Sequence, residues 1–294
     1  MREFDLLRIV EELLGREDVR IPAGLHDAAY VEVGGKLLVL TCDTVNEKSD
    51  FPPFMEAEEM GHMALAVTLS DIAACGAKPL FFLSSISMKY ADDELLTRIL
   101  VGMKRLAEKY DVKIVGGDID FSDLLTIAGF AVGEAERVIT RKGAKPGQNV
   151  YVTDLPGKAQ LCLDMLEKGA GRKELPYASS LYTPEPRIQE GRRISEYATA
   201  MTDISDSLAI SAHLLANASR VRIVLDAIEL DHLAEYTDKA FDLFLYGGGD
   251  FELLFTADES EDGIRIGRVE KGSGVFAELG GKLMDVEFKG YSHF

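Results

Sequence analysis

Cysteine is scarce in this chain: Cys42, Cys75 and Cys162 are the only three in 294 residues, far apart and odd in number. They form no C-x-x-C pair, which argues against a disulfide framework and against a zinc site, and points to a reducing, cytoplasmic setting. Long apolar runs are also missing. No stretch reaches the roughly 18 uncharged apolar residues of a membrane span, and Met1-Arg2-Glu3-Phe4 leads straight into an amphipathic segment with no apolar leader, so neither membrane insertion nor export is expected. Basic residues are in deficit, 32 against 50 acidic ones, for a net charge of −18 without any basic cluster. A nucleic-acid backbone would be repelled. An acidic chain that handles an anionic substrate needs local cations, and divalent metal held by carboxylates supplies them.

Several catalytic signatures are absent as well. There is no G-x-x-x-x-G-K-[ST] and no kinase-type glycine loop with its catalytic-loop Asp, which excludes the two commonest nucleotide folds. The five histidines, His26, His62, His213, His232 and His293, show no H-x-x-x-H or H-E-x-x-H spacing. The lack of G-x-S-x-G weakens the case for a serine hydrolase.

What is present is a globular chain with 47% apolar content, enough for two cores. Residues 3–14 carry a broad apolar stripe that includes Phe4, Leu7 and Leu14 and is ended by Gly15. Ala29–Val33 and Lys36–Leu40 read as strands around a Gly34-Gly35 turn, a hairpin that delivers Asp43. Helices are expected from Glu56 to about Cys75, from Asp92 to Tyr110, from Lys158 to Glu167, from Arg187, from about Ser205 to Ala216, and near Phe241. Further strands are expected at 79–88, 112–116, 124–132, 149–153, 221–225, 251–256, 264–269, 274–279 and 282–288. Irregular alternation with hairpins indicates an α/β chain of the α+β kind. The turn-rich, basic segment Arg141–Gly147 divides it into domains 1–145 and 146–294.

The stretch Val112–Asp118 organises this reading: a short strand, a glycine pair taken as a turn, and a carboxylate at the strand end. Leu40–Asp43, Thr68–Asp71 and Thr202–Asp206 repeat the arrangement, each an apolar run ending in hydroxyls and carboxylates. Singly, each is an ordinary turn in an acidic chain. Together they offer hard oxygen ligands suited to Mg²⁺ and to phosphoryl transfer.

The ordered set extends this. Asp27-Ala28-Ala29, Thr41-Cys42-Asp43, Leu69 to Pro79, Gly116-Gly117-Asp118, Thr140 to Gly147, Asp203 to Asp206, Gly248 to Leu253 and the tail Lys289-Gly290-Tyr291-Ser292-His293-Phe294 together resemble the thiamine-monophosphate kinase family. That family belongs to the ATP-binding superfamily of aminoimidazole ribonucleotide synthetase and selenophosphate synthetase. The resemblance implies a two-domain fold, an N-terminal mixed sheet with helices plus a C-terminal α/β domain, that forms a homodimer through the N-terminal sheets. It implies ATP and Mg²⁺ as ligands, with thiamine monophosphate as acceptor. By motif position Asp27, Thr41, Asp43, Asp71, Asp118, Asp203 and Asp206 are implied metal ligands, with Asp71 and Asp206 nearest the chemistry. Gly117, Asp118, Arg141 and Ser205 are implied ATP contacts, and Asp50, Gly249 and Tyr291 line the acceptor.

The chain departs from the family pattern at identifiable positions. Leu25-His26-Asp27 replaces Gly-Asp-Asp, Asp50 stands where His is common, and Gly248-Gly249-Asp250 lacks the usual Glu. Ser207 replaces Gly, and Ile119 replaces Thr. Read together, these predict retained ATP and metal binding with altered acceptor binding. A related synthetase with another acceptor, or a non-catalytic nucleotide-binding protein, are the alternatives.

Overall fold

The computed structural model describes residues 2–14, 18–22, 24–226, 230–279 and 281–293. Gly15, Phe294 and the side chain of Phe4 lie outside the described residues. In chain order come α1 (Arg2–Leu14), the hairpin β1 (Ala29–Val33) and β2 (Lys36–Asn46), α2 (Ala57–Ala74), β3 (Lys78–Met88), α3 (Asp93–Lys109), β4 (Lys113–Phe121) and β5 (Thr126–Ala135). After a linker follow β6 (Asn149–Val152), α4 (Lys158–Glu167), a 3₁₀ turn (Arg172–Glu174), α5 (Ala178–Tyr182), α6 (Ile188–Ser195) and β7 (Ala200–Ile204). The chain continues through α7 (Leu208–Ser219), β8 (Arg222–Leu225), α8 (Asp231–Ala234), α9 (Ala240–Tyr246), β9 (Glu252–Ala257), β10 (Ile264–Glu270), β11 (Gly274–Leu279) and β12 (Lys282–Asp285).

Two mixed sheets result, with strand orders β1-β2-β5-β3-β4 and β12-β11-β8-β10-β6-β9-β7. Most neighbours are antiparallel; β3 with β4 and β8 with β11 are parallel. The inner face of the first sheet is covered by α2, which packs on β2 and β5, with α3 packed against α2 and touching β4. The outer face is bare and apolar, with Leu40, Phe81, Leu83 and Phe130 exposed.

One expectation is corrected here. Gly116-Gly117-Asp118 is not a turn: β4 runs straight through it, paired in parallel with β3, so that Gly117 faces Ser84 and Asp118 faces Ser85. The glycines serve the sheet. A Cβ on Gly117 would lie 1.9 Å from the Ser84 carbonyl oxygen, and Gly116 sits with φ +150 where the register slips between Phe82 and Leu83. A short strand, β7, is not expected from the sequence; all five of its residues, Thr202 and Asp203 included, are buried.

α2 is the pivot of the fold. It is buried on nearly every side and built largely of small residues, which let neighbouring backbones come close. At the crossing with α3, a Cβ on Gly61 would meet the Ile99 carbonyl at 1.9 Å, and one on Gly102 would meet the Glu58 carbonyl at 1.8 Å. On its other flank α2 touches α6 and β7 from the second half of the chain. One core therefore takes residues from both halves, including Ile188, Ile194 and Phe255.

Since the α2–α3 crossing has no room for a methyl group, Gly102→Ala should destabilise the protein by about 1–3 kcal/mol through overpacking. Urea unfolding reads this as a lower midpoint; an unchanged midpoint would contradict so close a crossing.

Candidate active site at the junction of the two sheets

Four carboxylates meet where α2 ends. Asp27, Asp71 and Asp203 place one oxygen each within 4.8 Å of one another, the one such group among the described residues. Asp43, from β2, adjoins them, and its Oδ2 is buried without any hydrogen-bond partner. The hairpin brings Asp43 inward with Thr41, two residues earlier on the same face of the strand. Asp71 lies in the last turn of α2, where the helix dipole already disfavours a negative charge. Asp203 comes from β7.

Hydroxyls and one guanidinium fix these groups. Thr41 donates to Asp71 Oδ2, and Ser70 Oγ donates to Asp203 Oδ2 at 2.7 Å, joining the two halves of the chain. Asp27 accepts from Arg141 Nη2 and from Thr202 Oγ1 at 2.8 Å (Oδ2), while Arg141 Nε donates to Thr202 Oγ1 at 3.1 Å. The His26 ring is fully enclosed, with Nδ1 3.2 Å from Asp27 Oδ2 but no aligned hydrogen bond at either nitrogen.

The electrostatics follow from burial. Desolvation, with Asp27 adding repulsion, pushes Asp43 up to about 6, and burial beside Asp27 and Asp43 pushes Asp203 up to about 8. Asp71 is raised by burial and by Asp43, Asp203 and Asp27. Burial would raise Asp27 too, but Arg141, His26 and Thr202 outweigh it and hold that carboxyl below its ordinary range. Burial lowers His26 to about 4, so its ring is neutral near pH 7.

These residues fit a divalent cation. The donors are hard oxygens, they outnumber the cations facing them, and one buried oxygen lacks a partner, which is the setting that Mg²⁺ satisfies.

A cavity of about 370 Å³ opens beside Asp43. Its walls bring together Asp50, Gly249 and Tyr291, the three residues expected at the acceptor, along with Ser205 and Asp206. Asp50 does not stand bare: its Oδ2 accepts from the Asn46 backbone at 2.8 Å, Asn46 Nδ2 at 3.0 Å and Ser49 Oγ at 2.7 Å, closing the turn after β2. Ser205 and Asp206 are held through their carbonyls by Gly249 N at 2.7 Å and Tyr291 N at 3.1 Å. Ser207 caps α7 through the Ile210 N–H and donates to the Lys289 carbonyl at 2.8 Å, tying down the tail that carries Tyr291. Asp250, next to Gly249, is buried and accepts from Gly157 N at 2.6 Å and Ala159 N at 3.0 Å, so it caps α4 from a distant segment.

Gly117 and Asp118 do not join this group within the chain. Asp43, Gly129, Ser84 and Gly117 lie in one row across the first sheet, so β4 stands three strand spacings, about 14 Å, from β2. Asp118 is exposed there with Ser85.

Sequence reasoning missed the apolar wall of the cavity, Met63, Val67, Leu163 and Leu181. The signal for half of it was present: Met63 and Val67 precede Asp71 by eight and four residues on one helix, hence on one face.

The chain has relatives among known proteins over its whole length. Residues 25–135 match the model for the AIR synthase related protein, N-terminal domain. The whole chain is 66% identical over 294 residues to thiamine-monophosphate kinase of Archaeoglobus fulgidus, covering 98% of it. The chain belongs to the thiamine-monophosphate kinase family. The enzyme of that name from Aquifex aeolicus is 34% identical over 99% of this chain and 98% of its own. The solved structure of AaThiL complexed with AMPPCP and TMP superposes with a TM-score of 0.89, 34% identity, and coverage of 99% of this chain and 97% of that one. Among the described residues no helix is long and apolar enough to cross a membrane.

Raised carboxyls make a stability prediction with a definite sign. A group whose folded pKa exceeds its unfolded value contributes stability that disappears as pH rises through the folded pKa. Without metal, the thermal midpoint should therefore fall as pH rises from about 6 to about 8, where Asp203 still holds a proton that the unfolded chain has lost, the share carried by Asp43 being already gone by about pH 6, and added Mg²⁺ should flatten that slope. A metal-free midpoint that rises over the same window would contradict the crowding of these acids.

Proposed function

We propose that this protein transfers the terminal phosphoryl group of ATP to the phosphate of thiamine monophosphate, giving thiamine diphosphate and ADP. The observation that carries the reading is the shared cavity: Asp50, Gly249 and Tyr291 line it together with Asp43 and Asp206, next to the buried acids. Asp27, Thr41, Asp43, Asp71, Asp203 and Asp206 are the residues that would hold Mg²⁺. What Mg²⁺ supplies when bound is charge, offsetting the repulsion between donor and acceptor and the charge of the transferring group.

The chain's own residues do the rest by position. Thr41, Ser70 and Thr202 fix the orientations of Asp71, Asp203 and Asp27, so the ligand atoms are held before any substrate arrives. Arg141 offers a cation to the triphosphate, and Ser205 a hydroxyl. The acceptor is a phosphate monoester, already largely ionised near pH 7, so no side chain has to remove a proton. The apolar wall and Asp50 receive the organic part of thiamine monophosphate, whose thiazolium ring is cationic. Because Asp50 is already bound by Asn46 and Ser49, it faces that cation as an ordered carboxylate rather than repelling the phosphate.

The reading includes a homodimer formed through the outer face of the first sheet, where Leu40, Phe81, Leu83 and Phe130 are exposed. Gly117 and Asp118, on the open edge strand of that sheet, would then serve the nucleotide and metal site of the assembled pair. Three free thiols fit a reducing cytoplasm.

Release of ADP from ATP is the test, with thiamine monophosphate, thiamine and other phosphate monoesters as acceptors. Thiamine monophosphate should be used and unphosphorylated thiamine should not. Asp71→Asn should lower kcat by about 10²–10³-fold, the scale for loss of one electrostatic stabiliser, without lowering the thermal midpoint. No ADP release with thiamine monophosphate, or an active Asp71→Asn protein, would refute the proposal.

A further inference from the structure

The loop after β2 forms one wall of the cavity, and its backbone is not relaxed. Asp50 and Pro52 line the space, and two residues on Phe54 adopts φ +68, a left-handed conformation unfavourable for a bulky side chain. Phe54 is also 60% exposed, so its own ring does not anchor the turn. The anchors come from about 120 residues further along the chain. Arg172 Nη1 donates to the Phe54 carbonyl at 2.8 Å and to Glu59 Oε2 at 2.8 Å, and its Nη2 pairs with Glu59 Oε1. The Tyr182 hydroxyl donates to the Pro53 carbonyl at 2.6 Å, and the Arg172 guanidinium stacks 4.2 Å from the centre of the Tyr182 ring. Glu59 in turn accepts from the Glu56 N–H at 2.9 Å and fixes the start of α2, the helix that carries Met63, Val67 and Asp71. Leu181, next to Tyr182 in sequence, also lines the cavity.

We infer that Arg172 and Tyr182 are positioning residues for the acceptor. They act as a clamp that holds the strained Pro52–Phe54 turn at a fixed distance from Leu181, and so set the width of the slot that takes the ring system of the acceptor. The inference rests on the functional reading above. Neither residue lines the cavity, and neither adjoins the carboxylates. The clamp therefore acts on the organic part of the acceptor and leaves ATP and metal alone.

Steady-state kinetics of the full-length protein with ATP and thiamine monophosphate test this, for wild type, Arg172→Met, Arg172→Lys and Tyr182→Phe. Arg172→Met should raise KM for thiamine monophosphate about tenfold, the equivalent of one lost hydrogen bond made by a charged group. Tyr182→Phe keeps the buried ring and loses only the bond to Pro53, so its KM should rise by a smaller factor, and Arg172→Lys should fall between wild type and Arg172→Met. In all three, KM for ATP, kcat and the calorimetric affinity for Mg-ATP should stay at wild-type values. A KM for thiamine monophosphate unchanged in Tyr182→Phe and in every folded Arg172 variant, or KM for ATP and kcat moving in parallel with it, overturns the inference. If Arg172→Met does not fold, Tyr182→Phe decides. Wild type that fails to use thiamine monophosphate refutes the functional reading and this inference together; wild type that uses it, with variants that match it, refutes this inference alone.

Discussion

Like charges forced together in a dry place are the constraint around which this molecule is arranged. Asp27, Asp43, Asp71 and Asp203 are drawn from four separate segments into one buried spot, and Asp71 sits at the end of α2 where the backbone dipole adds to the repulsion. Such a cluster persists only if protons, a guanidinium or a metal ion compensate it. Arg141 compensates Asp27, and the raised pKa values of Asp43 and Asp203 express the remaining imbalance. The stability given up at this spot is what a divalent cation placed among these carboxylates would restore.

The scaffold explains how the cost is met. α2 is surrounded by the first sheet, α3, α6 and β7, and its small residues let these elements pack with little space between them. The two halves of the chain are joined at the site itself by Ser70 with Asp203, and further out by Arg172 with Glu59 and by Tyr110 with Glu185. Acids contributed by both halves thus face each other across a junction that packing holds shut. The cavity beside them is lined both by carboxylates, Asp43 and Asp206 among them, and by apolar side chains, Leu163 and Leu181 among them, the two kinds of surface that a molecule with a phosphate and rings requires.

Much of this was legible in the sequence, and the failures have physical causes. The hairpin was announced by its two glycines, and α4 begins and ends where the helical pattern does, because both depend on neighbours in sequence. The Gly-Gly-Asp stretch was misread as a turn because its partner, β3, lies about 30 residues away and is parallel, so the glycines answered to a strand that local pattern does not reveal. β7 escaped notice because a fully buried five-residue strand shows no alternation, and its Thr202 and Asp203 look like loop residues until their partners Asp27 and Ser70 are in view. Among the site residues, Asp43, Asp71 and Asp203 were readable as acids closing apolar runs, while Asp27 was reached only through the family resemblance; the supporting roles of Ser207, Asp250 and Arg172 arise from contacts across 82, 93 and 118 residues and leave no local trace.

The central claim is that these acids converge to hold divalent metal beneath a nucleotide. Anomalous diffraction from crystals grown with Mn²⁺ and a non-hydrolysable ATP analogue addresses it directly. Peaks bounded by Asp43, Asp71 and Asp203 are the predicted result. A map with no metal among those carboxylates, while the analogue is bound elsewhere on the molecule, would contradict the account.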